Sequence, residues 1–146
     1  MISLEGKNLT AGYGGVDIIK NINLHVKQGE IAVIVGPNGA GKSTAMKALL
    51  GMLKLSDGSV KFAQNDITSM LPQDRVNLGI AFVPQTQNVF TGMSVEENLE
   101  MGGFIRDDNI SLTIEDIYNL FPILKEKRNQ NAGELSGGQR QQVAFG

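Results

Sequence analysis

The residues with the plainest chemical purpose are Gly36, Pro37, Asn38, Gly39, Ala40, Gly41, Lys42 and Ser43, which fit the spacing G-x-x-x-x-G-K-[ST]. A polyphosphate needs several donors converging on it. Glycines let a backbone wrap closely, so successive N–H groups can form an anion nest. Lys42 brings a point charge to the β- and γ-phosphates, and the Ser43 hydroxyl is placed for Mg²⁺. Thr44 follows on the α-phosphate side. A glycine-rich turn with a chance lysine could produce the same string, but only on the order of once in a hundred chains of average composition. The flanks narrow it further: apolar Ile31 to Val35 reads as a strand before the loop, and Lys42 to Met52 as a helix after it. That helix would point its positive end at the phosphates.

The loop needs a scaffold, and the surrounding pattern describes one. Ile2 to Leu9 reads as a strand, with a turn at Gly12, Gly14 and Gly15. Ile18 to Val26 alternates apolar and polar residues, as a half-buried antiparallel strand does. Glu30 to Val35 is apolar on both faces, which predicts a central parallel strand covered on both sides. Ser56-Asp57-Gly58 predicts a turn, Ser59 to Ala63 a short strand, Pro72 to about Leu78 a helix, and Ile80 to Val83 another strand.

After Gln85 the texture becomes mainly helical. Ser94 with Glu97 forms a capping-box pattern, Thr113 with Asp116 opens a second helical stretch through Leu120, and Ser136 with Gln139 forms another capping box. The expected division is therefore 1–85, a nucleotide-binding core with an antiparallel part, and 86–146, a helical subdomain. Lys125, Lys127 and Arg128 read as a solvated helix face.

Composition bounds the rest. The 146 residues carry a net charge of -2, so no nucleic-acid partner is expected. Cysteine is absent, which suits a reducing compartment. The start lacks a signal-peptide layout, and the longest apolar run, Ile31 to Gly36, is far short of the roughly 20 residues of a membrane span.

Three further features carry a family resemblance. Leu135-Ser136-Gly137-Gly138-Gln139 resembles the LSGGQ signature of ABC ATPases. A helix cap explains Ser136 and Gln139 but not two glycines, which are poor helix formers, in a first turn. Val83-Pro84-Gln85 resembles the family's Q-loop, and Tyr13 stands where the family places an aromatic that stacks on adenine. The resemblance covers essentially the whole chain. It implies a mixed α/β P-loop ATPase core with an N-terminal antiparallel β part and a helical subdomain.

It further implies ATP and Mg²⁺ as cofactors. Tyr13 and residues 36–44 would hold the nucleotide, and Ser43 and Gln85 would face Mg²⁺. Gln85 would sense the γ-phosphate. Ser136, Gly137, Gly138 and Gln139 would cap ATP held by a second ABC subunit, in a head-to-tail dimer. Transmembrane permease subunits would be the other partners, met through Thr86 to Gly92 with Val89 and Phe90 as apolar contacts. The location implied is peripheral, on the cytoplasmic face of the inner membrane.

Ser94 to Phe104, with Leu120 to Leu124, is similar to an ATP-binding subunit of the bacterial branched-chain amino-acid importer. Urea and amide importers share much of this, and the segment Pro84 to Phe90 departs from the PEGRxxF form of many members. A soluble, non-transport ABC ATPase is the other reading, and no N-K-x-D guanine reader supports a GTPase. The only histidine, His25, precedes the loop and so cannot serve as the family's switch histidine. In the family an apolar strand ending in aspartate and glutamate (Walker B), a D-loop and that histidine follow the signature helix. They do not occur before Gly146, so the chain reads as a fragment of a longer ATPase.

Overall fold

Short-range signals account for the first hairpin in the computed structural model, which describes residues 2–146. Strands β1 (Ile2–Tyr13) and β2 (Val16–Lys27) pair antiparallel. Gly14 and Gly15 join them with φ of 58° and 82°. Two positive values in a row are what a two-residue I′-type hairpin turn requires. Strand β3 (Leu55–Phe62) pairs with the other edge of β1, and the short β4 (Asn65–Asp66) pairs with β3. The sheet order is β2-β1-β3-β4, antiparallel throughout.

The expected turn at Ser56-Asp57-Gly58 lies instead inside β3. There the β1–β3 register shifts, and Gly58 has φ 98°. A Cβ on Gly58 would stand 2.5 Å from the carbonyl oxygens of Lys7 and Asn8, so the bulge needs glycine. Helix α1 (Lys42–Leu49) ends earlier than the expected Met52. Leu50 caps it and Gly51 turns left-handed, φ 72°, against the Arg75 guanidinium.

One expectation is corrected outright. Residues 31–35 form no paired strand, and Ile31 and Val35 are 91% and 84% exposed. Ile80 to Val83 is likewise unpaired, although the Ile80 side chain is buried. Apolarity on both faces makes a segment suited to a central strand, but a strand exists only through ladder bonds to a neighbour. Among the described residues none pairs with 31–35.

The described residues form two units, one ending at Ala81 and the other Phe82–Gly146, so the division comes before the one expected after Gln85. In the first, Leu9 and Ala11 on β1, Ile19 on β2 and Val60 on β3 pack with Ala45 and Ala48 of α1. Two alanines three apart let the helix lie close to the sheet. Beside them α2 (Pro72–Asn77) buries Arg75, which is 2% exposed. Its guanidinium donates to the carbonyls of Leu49 (2.6 Å), Ile67 (2.7 Å), Thr68 (3.1 Å) and Met70 (3.2 Å). These bonds satisfy a charge that burial would otherwise penalise.

The second unit holds α3 (Val95–Gly102), α4 (Ser111–Leu120), α5 (Pro122–Glu126), a 3-10 turn (Ala132–Glu134) and α6 (Gly137–Phe145). Val95, Leu99, Tyr118, Leu124, Leu135 and Val143 form its core. The capping box at Ser94 and Glu97 is present. Helix α4 starts at Ser111, two residues before the expected Thr113, with Ile110 at its N-cap and the Asn109 side chain accepting from the Ser111 N–H at 2.9 Å. Lys125 pairs with Glu115 at 2.7 Å with both side chains about half exposed, a solvated helix face.

Candidate functional site

The candidate phosphate loop, residues 36–43, is exposed or half-buried throughout. Ala40 donates its N–H to the Pro37 carbonyl at 3.2 Å, which closes the turn, and Ala45 N–H reaches the Gly41 carbonyl at 2.8 Å, which starts α1. Gly41 is the N-cap in the left-handed region, φ 85°. A Cβ there would meet Ile19 Cγ2 at 2.7 Å, so the loop enters the helix by passing directly over β2. Lys42 Nζ donates to the carbonyls of Gly36 and Pro37, both at 2.7 Å, and so lies along the loop itself. Ser43 is exposed on the first turn of α1, while Thr44 is buried beneath it at 6% exposure.

This arrangement fits a nucleotide's phosphates: a cation, an exposed hydroxyl and the first turn of a helix converge on one loop. It also fits Mg²⁺ held mainly by phosphate oxygens and water. Mg²⁺ in such sites takes only one or two protein oxygens, and the exposed Ser43 hydroxyl can supply one. A cleft of about 780 Å³ touches Lys42 and Ser43, but Leu4, Leu24, Val26 and Met46 line it. Asn23 and His25 of β2 line it as well, so the cleft runs from Lys42 and Ser43 past residues 32–34 along an apolar wall broken by a few polar side chains.

Tyr13 ends β1 beside the hairpin turn and is 48% exposed. Lys47 of α1 places its Nζ 5.7 Å from the ring centroid and 3.5 Å from the phenol oxygen. Tyr13 therefore stands next to the helix that the phosphate loop opens. Nothing in the sequence pointed to Lys47, since only the pairing of hairpin and helix brings it there.

Gln85 and residues 136–139 belong to the second unit. Gln85 is exposed on a bend. Ser136 is the N-cap of α6: its hydroxyl oxygen accepts from the Gln139 N–H at 3.3 Å, and the Gln139 side-chain oxygen accepts from the Ser136 N–H at 3.2 Å. Leu135 anchors this start in the core at 3% exposure, while Ser136, Gly137 and Gly138 are exposed. A Cβ on either glycine would meet nothing within 4 Å. Packing inside the chain therefore does not require these glycines. A bare helix start facing outward suits an anionic group approaching from outside.

Two other ties in this unit were not legible beforehand. Asn98 accepts from the Phe90 N–H at 2.7 Å and donates to the carbonyls of Phe90 and Ser94 at 3.0 and 2.8 Å. Asn88 donates to the Gln141 side-chain oxygen at 2.6 Å.

Comparison with known proteins gives a consistent result. The ABC transporter family model matches residues 19–146. The probable branched-chain amino acid transport ATP-binding protein LivF of Archaeoglobus fulgidus is 39% identical over 143 residues, covering 97% of this chain and 61% of the relative. The high-affinity branched-chain amino acid transport ATP-binding protein BraG of Pseudomonas aeruginosa is 38% identical, covering 92% of the chain and 58% of the relative. A sn-glycerol-3-phosphate import ATP-binding protein, UgpC 1 of Rhizobium etli, is 37% identical over 149 residues, covering 100% and 42%. The chain thus spans 61% or less of the length of these curated relatives.

Among solved structures, the ADP conformation of MJ1267, an ATP-binding cassette of an ABC transporter, superposes with TM-score 0.82 at 29% identity, over 99% of this chain and 63% of that one. A dimeric post-hydrolysis state of the cassette MJ0796, bound to ADP and Pi, superposes with TM-score 0.78 at 26% identity, over 97% and 67%.

Proposed function

The chain belongs to the ABC transporter family of ATP-binding proteins, and on that premise we propose that it serves an importer as its energy-coupling ATPase, with branched-chain amino acids as the solute. One observation carries the reading. The same chain holds a phosphate loop opening α1 and a second, outward-facing glycine helix start opening α6. The first can grip a nucleotide from one side. The second has no use for its glycines within its own chain, which supports a role against nucleotide held by another copy.

In this reading Tyr13 stacks on the base, while Lys42 and the N–H groups of residues 39–43 hold the phosphates. Ser43 and Gln85 face Mg²⁺, and bound Mg-ATP supplies the γ-phosphoryl group that water attacks. Ser136, Gly137 and Gly138 of the partner copy close the site. Their role is electrostatic positioning, which is nearly the whole of phosphoryl-transfer catalysis. Val89 and Phe90 offer apolar contacts to a permease, so the ATPase would be peripheral to the membrane. Similarity to LivF and BraG supports the solute assignment.

Two variants of the full-length protein test the assignment together. Lys42→Ala should abolish calorimetrically measurable ATP binding. Ser136→Arg should leave ATP binding to the monomer intact and prevent ATP-driven dimerisation, followed by light scattering in a hydrolysis-deficient background. Unchanged ATP affinity in the first variant, or full dimerisation in the second, would refute the corresponding role. Uptake of labelled leucine by vesicles carrying the whole transporter tests the solute.

A further inference from the structure

The segment after Gln85 is fastened to the signature region on both sides of Ser136. Upstream of Ser136 the fastening is backbone to backbone. Gly133 N–H donates to the Thr91 carbonyl at 3.1 Å, Ala132 N–H donates to the Met93 carbonyl at 2.9 Å, and Ser94 bridges Asn131. Downstream it is a single side-chain bond, Asn88 Nδ2 to Gln141 Oε1 at 2.6 Å, partly buried and joining residues 53 apart. Among the described residues this is the one side-chain hydrogen bond from α6 to another element; the others on α6 belong to its own capping box. Two further polar atoms of the helix, Arg140 Nε and Gln142 Oε1, are buried without a partner. Otherwise α6 is held in the unit by Val143 and by Leu135 just before it, and apolar contacts of that kind resist sliding and rotation less specifically than a hydrogen bond does.

We propose that the Asn88–Gln141 hydrogen bond is a latch that fixes the direction of α6, making both residues positioning residues for the contact of Ser136 with a partner's nucleotide. This rests on the dimer role proposed above. The segment begins just past Gln87, a non-glycine residue at φ 54°. From Asn88 onward the segment is tied to α3 through Asn98 and to α6 through Gln141. With the latch broken, the upstream backbone bonds still hold the chain before Ser136, but among the described residues no hydrogen bond beyond it fixes the direction in which α6 leaves.

The test uses the full-length protein and four variants: Asn88→Ala, Gln141→Ala, the double alanine variant, and Asn88→Asp. In Asn88→Asp the carboxylate can accept from the Gln141 amide turned about, so the link survives. Three readouts are needed: amide hydrogen exchange of segments 88–94 and 136–141 without nucleotide, ATP affinity of the monomer, and ATP-driven dimerisation in a hydrolysis-deficient background.

Each alanine variant should exchange faster in both segments. Each should dimerise roughly 2- to 12-fold more weakly, the range a lost hydrogen bond represents, with ATP affinity unchanged. The double variant should match the single ones, because both remove one bond. Asn88→Asp should behave like the wild type. Multiplying losses in the double variant, unaltered dimerisation in Asn88→Ala, or an equal fall in monomer ATP affinity would each overturn the proposal. Unaltered exchange beside normal wild-type dimerisation would sink the latch alone. A wild type that fails to dimerise with ATP would instead sink the dimer role, and this proposal with it.

Discussion

Gly39 and Gly41 sit in the same loop with nearly the same backbone angle, φ 86° and 85°, yet their alanine variants should differ. A left-handed conformation costs a non-glycine residue roughly 1–2 kcal/mol, and both variants incur that cost. At Gly39 a Cβ meets nothing within 4 Å, so nothing more is added. At Gly41 it comes 2.7 Å from Ile19 Cγ2, and Ile19 is a core residue, 4% exposed, with little room to move. Overpacking of that kind adds about 1–3 kcal/mol. Gly41→Ala should therefore destabilise the nucleotide-free protein by about 2–5 kcal/mol against about 1–2 for Gly39→Ala.

Urea unfolding of the full-length protein without nucleotide measures both. Ile19→Ala removes the clashing methyl but leaves a cavity worth about 2–5 kcal/mol by itself. Combined with Gly41→Ala it should cost less than the sum, since the new methyl fills part of that cavity. If the Gly41 loop instead relieves the clash by shifting, the nucleotide must restore its path, and ATP affinity should fall roughly 5- to 150-fold. Equal losses of stability for Gly39→Ala and Gly41→Ala, with additive behaviour of the pair, would refute the steric argument.

Three more predictions test other parts of the molecule. Tyr13→Ala should weaken ATP and GTP binding alike by about 1–3 kcal/mol, because stacking uses the ring face common to all bases; fluorescent-nucleotide titration checks this, and a loss confined to adenine would argue for hydrogen-bonded readout. Arg75→Met should destabilise the protein by about 3–5 kcal/mol in urea unfolding, since the carbonyls of Leu49, Thr68 and Met70 lose their donor while volume is nearly kept and only Ile67 retains one, the Met70 N–H; a loss under about 1 kcal/mol would mean those carbonyls find water. Burial first, and the neighbouring Glu96 carboxylate second, push the Tyr118 phenol up to about 12, so the folded state favours its neutral form. The stabilisation is therefore complete below the ordinary phenol value near 10 and is lost between about pH 10 and 12, a slope that should disappear in Tyr118→Phe melting curves.

What was legible in the sequence is what neighbours along the chain decide. Both capping boxes, at Ser94 with Glu97 and at Ser136 with Gln139, link residues three apart and so need no tertiary partner. The turn at Gly14-Gly15 and the backbone bend of residues 36–43 are local in the same sense, and the strand around Ile18 to Val26 finds its partner β1 directly through that turn. Features settled only by the fold are those joining distant segments. Ile31 to Val35 has the composition of a buried strand, but strandedness is a property of a pair, and among the described residues that segment has no partner. The bulge at Gly58 follows from where β1 lies, not from the turn-like string around it. Arg75 looks like any helix-surface arginine until the Leu49, Ile67 and Thr68 carbonyls close around it. Lys47 beside Tyr13 and Asn88 beside Gln141 are separated by 34 and 53 residues. No periodicity or propensity reports such a meeting, because chain entropy at those separations is overcome by the packing of whole elements and not by the pair itself.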